Sequence, residues 1–351
     1  QRQMCIRDRY RFNGYIHVKA IPGAPDELLS RAGYLADRVS INLELPTAQS
    51  LSKLAPNKSF KTILEPMEKI TGTIAANRLA LGKDARMERS SINRYLTGSI
   101  FNQNGTDNGQ AALSGTQRTA LESGHKLSLP AVSKDMCVKR PFAPAGQSTQ
   151  MIIGATPETD LTLIRTTQHL YKNYDLKRVF YSAYIPLNED SALPQLDADV
   201  PLLREHRLYQ ADWLLRFYGF QADELLSESR PNFNEQLDPK CDWAIRHLGQ
   251  FPVEVQNASY DMLLRIPGIG PKSARRIVET RRYAKLDFDI LKKIGVVLKR
   301  AHYFITCNGR MMYRIPIEES YITSCLTDDN HKENWEITHQ NEKYHQLSLF
   351  E

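Results

Sequence analysis

Residues 263–278 constrain the fold of this chain more than any other segment. They read Leu-Leu-Arg-Ile-Pro-Gly-Ile-Gly-Pro-Lys-Ser-Ala-Arg-Arg-Ile-Val. A short helix that Asn257 and Ser259 can cap is expected to run through Ile266 and to end at Pro267 and Gly268. Pro271 stands where the first residue of a second helix is favoured. The sequence therefore predicts two helices joined by a tight Gly-Ile-Gly turn.

The predicted turn has the properties of an anion site. Glycine permits positive φ, which we expect at both Gly268 and Gly270, and leaves no side chain in the way. The N–H groups of the turn and of the second helix then point outward together. This string resembles the helix-hairpin-helix motif, which grips the DNA backbone without reading bases. The alternative is an αα-hairpin whose glycines only make a tight turn. The predicted DNA contacts in this segment are Gly268, Ile269, Gly270, Lys272, Ser273, Arg275 and Arg276.

Charge supports the DNA interpretation. Residues 257–303 contain eleven Lys and Arg against four Asp and Glu, whereas the whole chain has a net charge of only +6. The basic character is therefore concentrated around the hairpin, as in nucleic-acid-binding domains.

A degenerate second hairpin follows the first. Residues 290–294 and 298–305 are predicted helices around the turn Gly-Val-Val, with Val297 where the second glycine of the motif would stand. Lys299 and Arg300 are predicted as weaker phosphate contacts, and a solvated surface is the alternative.

The part of the chain before the hairpins alternates strands with helices. Residues 14–21, 38–45, 151–154 and 178–185 are apolar runs typical of buried strands, separated by helical patterns. Strands alternating with helices indicate an α/β fold with a parallel sheet. Residues 97–126 are rich in Gly, Asn, Gln, Ser and Thr and are predicted to form a flexible insertion, either a solvated loop or a lid.

These patterns predict five segments. They are an N-terminal stretch, residues 1–9, that resembles translated adapter sequence rather than native protein; a partial (β/α) barrel, 10–190; a helical extension, 191–250; a tandem hairpin domain, 251–310; and an acidic disordered tail, 311–351.

Composition excludes several classes of protein. Five scattered cysteines, none at metal-ligand spacing, argue against a disulfide framework and favour a reducing cytoplasm. No run of eighteen apolar residues is present, so no membrane partner is expected.

The C-terminal tail is polar and acidic until its last residues. From Pro316 onward the chain has two Lys or Arg against eight Asp or Glu, which predicts disorder. The ending Gln346-Leu347-Ser348-Leu349-Phe350 resembles the peptide with which bacterial proteins dock on the DNA sliding clamp. Its apolar cluster consists of Leu347, Leu349 and Phe350, and Gln346 would add a hydrogen bond to the clamp. A chance apolar end that packs on its own domain is the alternative.

The α/β half resembles a known enzyme class. Residues 14–23, 38–47, 142–156 and 178–186 are similar to the later strands of a radical S-adenosylmethionine (SAM) enzyme. With a hairpin domain behind them, they resemble a bacterial family of radical SAM proteins assigned to DNA modification or repair, over residues 10–310. The resemblance implies SAM and a 4Fe-4S cluster as cofactors, and a uracil-DNA-glycosylase-like protein as a partner.

One defining feature of that family is missing. Its three-cysteine loop, Cys-x3-Cys-x2-Cys, is absent, and we expect the first strands with that loop to precede residue 1. No metal ligand is therefore predicted in this chain, which we expect to be inactive, and its catalytic residues are unknown. The predicted SAM-side positions are Asn42, Glu44, Ser148, Thr149 and Gln150; for Glu44, a buried ion pair with Lys19 or Arg38 is the alternative.

Three functions compete at this point. The first is a DNA-binding radical SAM-type enzyme of DNA modification or repair. The second is a non-catalytic adaptor that links a clamp or repair partner to DNA. The third is a βα-barrel enzyme that acts on a small molecule.

Overall fold

The computed structural model of the chain describes residues 14–81, 141–187, 191, 193–195 and 199–327. The chain divides into two compact units, residues 1–233 and residues 234–351. The predicted helical extension, residues 191–250, is divided between them.

The first unit is a parallel sheet with helices. Its described elements, in chain order, are β1 (His17–Lys19), α1 (Asp26–Leu35), β2 (Arg38–Ser40), α2 (Ala48–Leu54), α3 (Phe60–Ala80), β3 (Gln147–Ile153), α4 (Asp160–Tyr174), β4 (Arg178–Ala183), α5 (Leu202–Phe217) and α6 (Ala222–Leu225).

The four strands pair in the order β1-β2-β3-β4, all parallel. One face is apolar and carries Val39, Met151 and Val179, all fully buried. Helices cover this face, and Gln147 ties it to α3 by donating from Nε2 to the carbonyl of Met67 at 3.0 Å. The predicted α/β class with a parallel sheet is therefore confirmed. The partial (β/α) barrel stays a prediction, since the four described strands form an open sheet with β1 and β4 at its edges.

The outer edge of β4 is covered by side chains. Tyr209 of α5 accepts the N–H of Tyr181 through its hydroxyl at 3.0 Å, and Glu205 accepts the N–H of Ala183 at 2.6 Å. An edge strand whose donors are satisfied in this way does not offer itself for pairing with another strand.

The second unit is mostly helical. Its described elements are α7 (Pro239–Arg246), a 3-10 turn (Leu248–Gln250), β5 (Val253–Glu254), α8 (Tyr260–Arg265), α9 (Pro271–Thr280), α10 (Phe288–Ile294), α11 (Leu298–Ala301), β6 (Ile305–Thr306) and α12 (Glu319–Thr327).

A short parallel pairing closes the hairpin region. β5 precedes the first hairpin and β6 follows the second, and they pair through Val253 with Ile305 and Glu254 with Thr306. The four helices α8 to α11 therefore form one closed segment between the two strands.

One prediction for the tail is wrong. Residues 319–327, placed in the disordered tail, form the helix α12, which packs on α7. Ile322 is fully buried, and this single apolar contact gave no periodic signal in an acidic stretch. Residues 328–351 lie outside the described part of the chain. None of the helices in the described part has both the length and the hydrophobicity of a membrane span.

Candidate nucleic-acid interface

The first hairpin is built by local signals in the sequence. Ser259 caps α8 by accepting the N–H of Met262, and the helix ends at Arg265. Gly268 then has φ +82°. Gly270 is the N-cap of α9, with φ −98° and ψ 173°. The predicted helix, glycine turn and second helix are therefore all present.

The expectation that both glycines need positive φ is wrong for Gly270. A residue that leads into a helix is usually extended, and any amino acid adopts that conformation. Gly270 is therefore not required by backbone geometry, although a residue without a side chain leaves the N-terminus of α9 uncovered.

Gly268 is required for a reason that the sequence does not reveal. A Cβ atom added there would lie 2.5 Å from the carbonyl oxygen of Val297 and 3.1 Å from the nitrogen of Ala301. The carbonyl of Gly268 accepts the N–H of Val297 at 2.9 Å. The glycine therefore lets the turns of the two hairpins meet backbone to backbone.

Three backbone N–H groups at the N-terminus of α9, the second helix of the hairpin, are unpaired within the described part of the chain. The N–H groups of Gly270, Lys272 and Ser273 donate to no group among the residues that the structure describes. Ile269 differs, because its N–H donates to the carbonyl of Ile266 at 3.2 Å and its side chain is buried. Unpaired donors at a helix N-terminus attract an anion, so this turn is suited to a phosphate group.

The side chains around these donors divide into exposed cations and internal supports. Lys272, Arg275 and Arg276 are exposed. Arg275 pairs with Glu279 at 2.8 Å, and Arg276 donates through Nη1 to the carbonyl of Ile294 at 2.9 Å. Ser273 is buried, and its hydroxyl donates to the carbonyl of Gly295 at 2.9 Å. The DNA contact of Ser273 stays a prediction, and this bond directs its hydroxyl toward the second hairpin.

The second hairpin has the predicted shape with a shorter last helix. Gly295 ends α10 with φ +99°, and Val297 is half exposed in place of the second glycine. Lys299 is exposed on α11. Arg300 is also exposed and pairs with Asp238 at 2.8 Å, so its charge is already partly compensated.

Lys240 belongs to this site and was missed by sequence reasoning. It lies in α7, is buried, and donates from Nζ to the carbonyl of Ile269 at 2.6 Å. Burial lowers the pKa of Lys240 to about 7, with Arg265 and Arg300 adding to the effect and Asp238 and Cys241 opposing it. Lysine is almost never buried without a partner, so a lone Lys in a helical pattern gives no signal of this contact.

Comparison with known families agrees with this geometry. A family model described as the helix-hairpin-helix motif matches residues 253–280, which span β5, α8, the turn and α9. The chain therefore contains a helix-hairpin-helix motif. No curated protein and no solved structure matches the chain at a significant level.

The predicted SAM-side positions lie in the first unit and do not share one face. Asn42 donates to Gln150 Oε1 at 3.4 Å, and Lys19 donates to the same oxygen at 3.2 Å. Thr149 lies on the opposite, apolar face and accepts the N–H of Leu43 at 2.9 Å. Glu44 has φ +68° and breaks the predicted strand.

The side chain of Glu44 has a different partner from those predicted. It pairs with Lys58 at 3.2 Å rather than with Lys19 or Arg38. A strand over the predicted residues 38–45 would place Asn42 and Glu44 on one face. Regular β2 ends at Ser40, however, and Glu44 pairs with Met151 only as an isolated bridge. Strict alternation therefore fails beyond Ser40.

The other face of the sheet is polar and holds several unpaired buried atoms. Register places Ser40, Ser148 and Arg178 side by side on this face. Arg38 lies two residues before Ser40 on β2, and its register partner on β1 is His17. The buried polar atoms on this face with no hydrogen-bond partner are His17 Nε2, Arg38 Nε, Ser40 Oγ, Ser148 Oγ and Arg178 Nε. Burial, then Arg38 and Lys19, lower the pKa of His17. Unsatisfied buried polar groups are rare, so their concentration here singles out this face.

Several segments singled out in the sequence lie outside the described residues, and the described cysteines all lie in the second unit. The insertion 97–126, the N-terminal residues 1–9 and the clamp-like peptide Gln346, Leu347, Leu349 and Phe350 are not among the described residues. The described cysteines are Cys241, Cys307 and Cys325, all in the second unit. The described part of the first unit contains no cysteine, and no described group of three His, Cys, Asp or Glu could hold a metal ion.

Proposed function

We propose that this protein binds duplex DNA through the phosphate backbone, without sequence preference. One observation supports this above the others: the matched hairpin presents three unpaired backbone N–H groups beside the exposed Lys272. Contacts of this kind position a protein on DNA and carry no base information.

The proposed contacts fall into three groups. Gly270, Lys272 and Ser273 donate their backbone N–H groups to one phosphate oxygen or to two neighbouring ones. The side chain of Lys272 adds a charge that no described carboxylate compensates, as does that of Lys299 in the second hairpin. Arg275, Arg276 and Arg300 already contact Glu279, Ile294 and Asp238, so we assign them smaller contributions. The Ser273 hydroxyl and Ile269 side chain support the turn.

The function is tested by a filter-binding titration with two unrelated duplexes over a series of salt concentrations. We expect equal affinities and a linear fall of log K with log salt concentration. Lys272→Gln should weaken binding several-fold and lower the salt slope by about one, because one phosphate contact is lost. Lys285→Gln is the matched control: it is also exposed, but lies beyond the C-terminal end of α9. A salt-independent affinity, or equal losses in both variants, would refute the proposal.

A second candidate concerns the first unit. We propose that its polar sheet face binds SAM, with Asn42, Ser148 and Gln150 as contacts, in an enzyme of DNA modification or repair. The unpaired hydroxyl of Ser148 supports this idea, whereas Thr149 and Glu44 have partners of their own. SAM would supply a methyl group or, beside an iron–sulfur cluster, an organic radical. The described residues of this unit offer no thiolate for a cluster, so we derive no step through one.

Partners other than DNA are proposed from the sequence. The ending Gln346–Phe350 would dock on a sliding clamp, and the resemblance of the α/β half adds a uracil-DNA-glycosylase-like protein. If the first unit is not an enzyme, the chain is an adaptor that connects such partners to DNA. The enzyme and the adaptor would bind DNA through the same hairpins. They differ only in whether the sheet of the first unit is catalytic.

A further inference from the structure

The Lys240 ammonium lies on the inner side of the proposed phosphate site. Lys240 is the second residue of α7, whose N-cap Asp238 accepts its backbone N–H. Its buried Nζ donates to the carbonyl of Ile269 at 2.6 Å, at the middle residue of the glycine turn. A buried ammonium in contact with the turn of a binding motif is a costly arrangement that packing alone does not require.

The peptide group between Ile269 and Gly270 connects this ammonium to the outer surface. In a planar trans peptide, the C=O and the N–H point in opposite directions. Lys240 binds the carbonyl end, and the N–H of Gly270 donates to no described group. A phosphate oxygen bound to that N–H would lie about 7–8 Å from Nζ, from the dimensions of one peptide and two hydrogen bonds.

We propose that Lys240 is a positioning residue for DNA binding, and that the phosphate drives uptake of a proton onto its amine. This rests on the proposed DNA function. The ammonium fixes the orientation of the Ile269–Gly270 peptide and polarises it, which strengthens the donor on the other side. It also adds a positive charge behind the phosphate, in an interior that screens charges less than water does.

Burial, together with the neighbouring charges, sets the range of pH in which this proton uptake happens. Asp238 and Cys241, at the start of the same helix, favour the ammonium; Arg265 of α8 and Arg300 of α11 oppose it. Burial is the largest effect and lowers the pKa of Lys240 to about 7, so the free protein holds it partly neutral at physiological pH. A phosphate adds one more negative charge and raises the pKa in the complex.

The direction of the pH dependence follows from linkage. Below both pKa values Lys240 is charged with or without DNA, and affinity is high and constant. Above about 7 the free protein loses the proton that the complex retains, so affinity falls until the pKa of the complex is passed. If the phosphate raises the pKa by about one unit, affinity falls about tenfold across this range.

Glutamine separates the charge from the hydrogen bond. Lys240→Gln keeps a donor that can reach toward the Ile269 carbonyl but has no proton to gain. We expect it to bind DNA at every pH as weakly as the wild type does at about pH 9, with the Lys240 step absent from its profile. Lys285→Gln, the control, should retain the wild-type profile. The readout is the difference between wild-type and Lys240→Gln profiles, because histidines, which ordinarily titrate near 6.5, contribute equally to both.

A second measurement uses the wild-type protein alone, in case Lys240→Gln does not fold. Calorimetric titration with duplex DNA above about pH 7, in two buffers of different ionisation enthalpy, should show net proton uptake on binding. Absence of uptake, or a Lys240→Gln profile equal to that of the wild type, would overturn the inference. If both proteins bind DNA with the same pH profile, only the role of Lys240 is refuted. If the wild-type protein does not bind DNA at any pH, the proposed function itself is refuted.

Discussion

At the scale of single residues, Gly268 and Gly270 have the same side chain but different roles. Gly268 needs positive φ and close contact with the second hairpin, whereas Gly270 has an ordinary extended backbone. The motif predicts both glycines equally well. Only the position of the Val297 carbonyl tells them apart, because that contact is made across 29 residues of sequence.

Alanine substitutions should separate the two roles. Gly268→Ala places a Cβ atom 2.5 Å from the carbonyl oxygen of Val297, at a residue whose backbone is left-handed. We expect this variant to lower the free energy of unfolding by about 2–4 kcal/mol. Gly270→Ala should cost about 1 kcal/mol or less, because its φ of −98° suits alanine.

Urea denaturation of the two single variants measures this difference. We also expect the double variant to bind DNA more weakly whatever the DNA sequence. The loss of affinity in Gly270→Ala alone shows how much of this effect comes from the approach of the phosphate to the turn. Equal urea midpoints for both single variants would contradict the assignment.

At the scale of elements, the sheet of the first unit has two unlike faces. Val39, Met151 and Val179 make one face largely apolar and buried, while most of the unpaired buried polar atoms of the sheet lie on the other. Alternation along β3 places Ser148 and Gln150 on the polar face and Thr149 on the apolar one. Strand alternation divides these residues between two faces, but it does not show which face carries most of the unpaired polar atoms.

A pair of substitutions on β3 tests the SAM proposal. Ser148→Ala removes a hydroxyl that has no partner among the described residues, so the fold should tolerate it. If that hydroxyl binds SAM, affinity should fall about fivefold, the equivalent of one hydrogen bond.

Thr149→Val, on the neighbouring residue, is the control. It removes the acceptor of the Leu43 N–H and should reduce stability while leaving SAM affinity unchanged. Calorimetric titration with SAM measures both variants. Failure of the wild-type chain to bind SAM would remove this second candidate and favour the adaptor.

At the scale of the whole molecule, the chain joins a sheet unit to a hairpin unit and ends in an acidic stretch. The positive charge is gathered in the hairpins, and the acidic stretch lies after them. Like-charge repulsion between DNA and this stretch would keep its last residues away from the duplex.

Deletion of residues 346–350 tests this arrangement. We expect that the truncated protein no longer binds an immobilised bacterial sliding clamp, because it lacks the apolar cluster of Leu347, Leu349 and Phe350. The melting temperature and DNA affinity should be unchanged. Retained capture would show that the clamp proposal is wrong, and a lowered melting temperature would indicate that the ending packs on its own domain.

The sequence by itself determined the elements whose signals are local. The cap of α8, the proline that opens α9 and the positive φ at Gly268 all depend on a few neighbouring residues. Only the tertiary structure decided which residues meet from distant segments. Lys240 reaches Ile269, Ser273 reaches Gly295, and Glu44 pairs with Lys58 through contacts that no periodicity encodes. Local backbone preference is written in adjacent residues, whereas burial and charge pairing depend on how the elements pack.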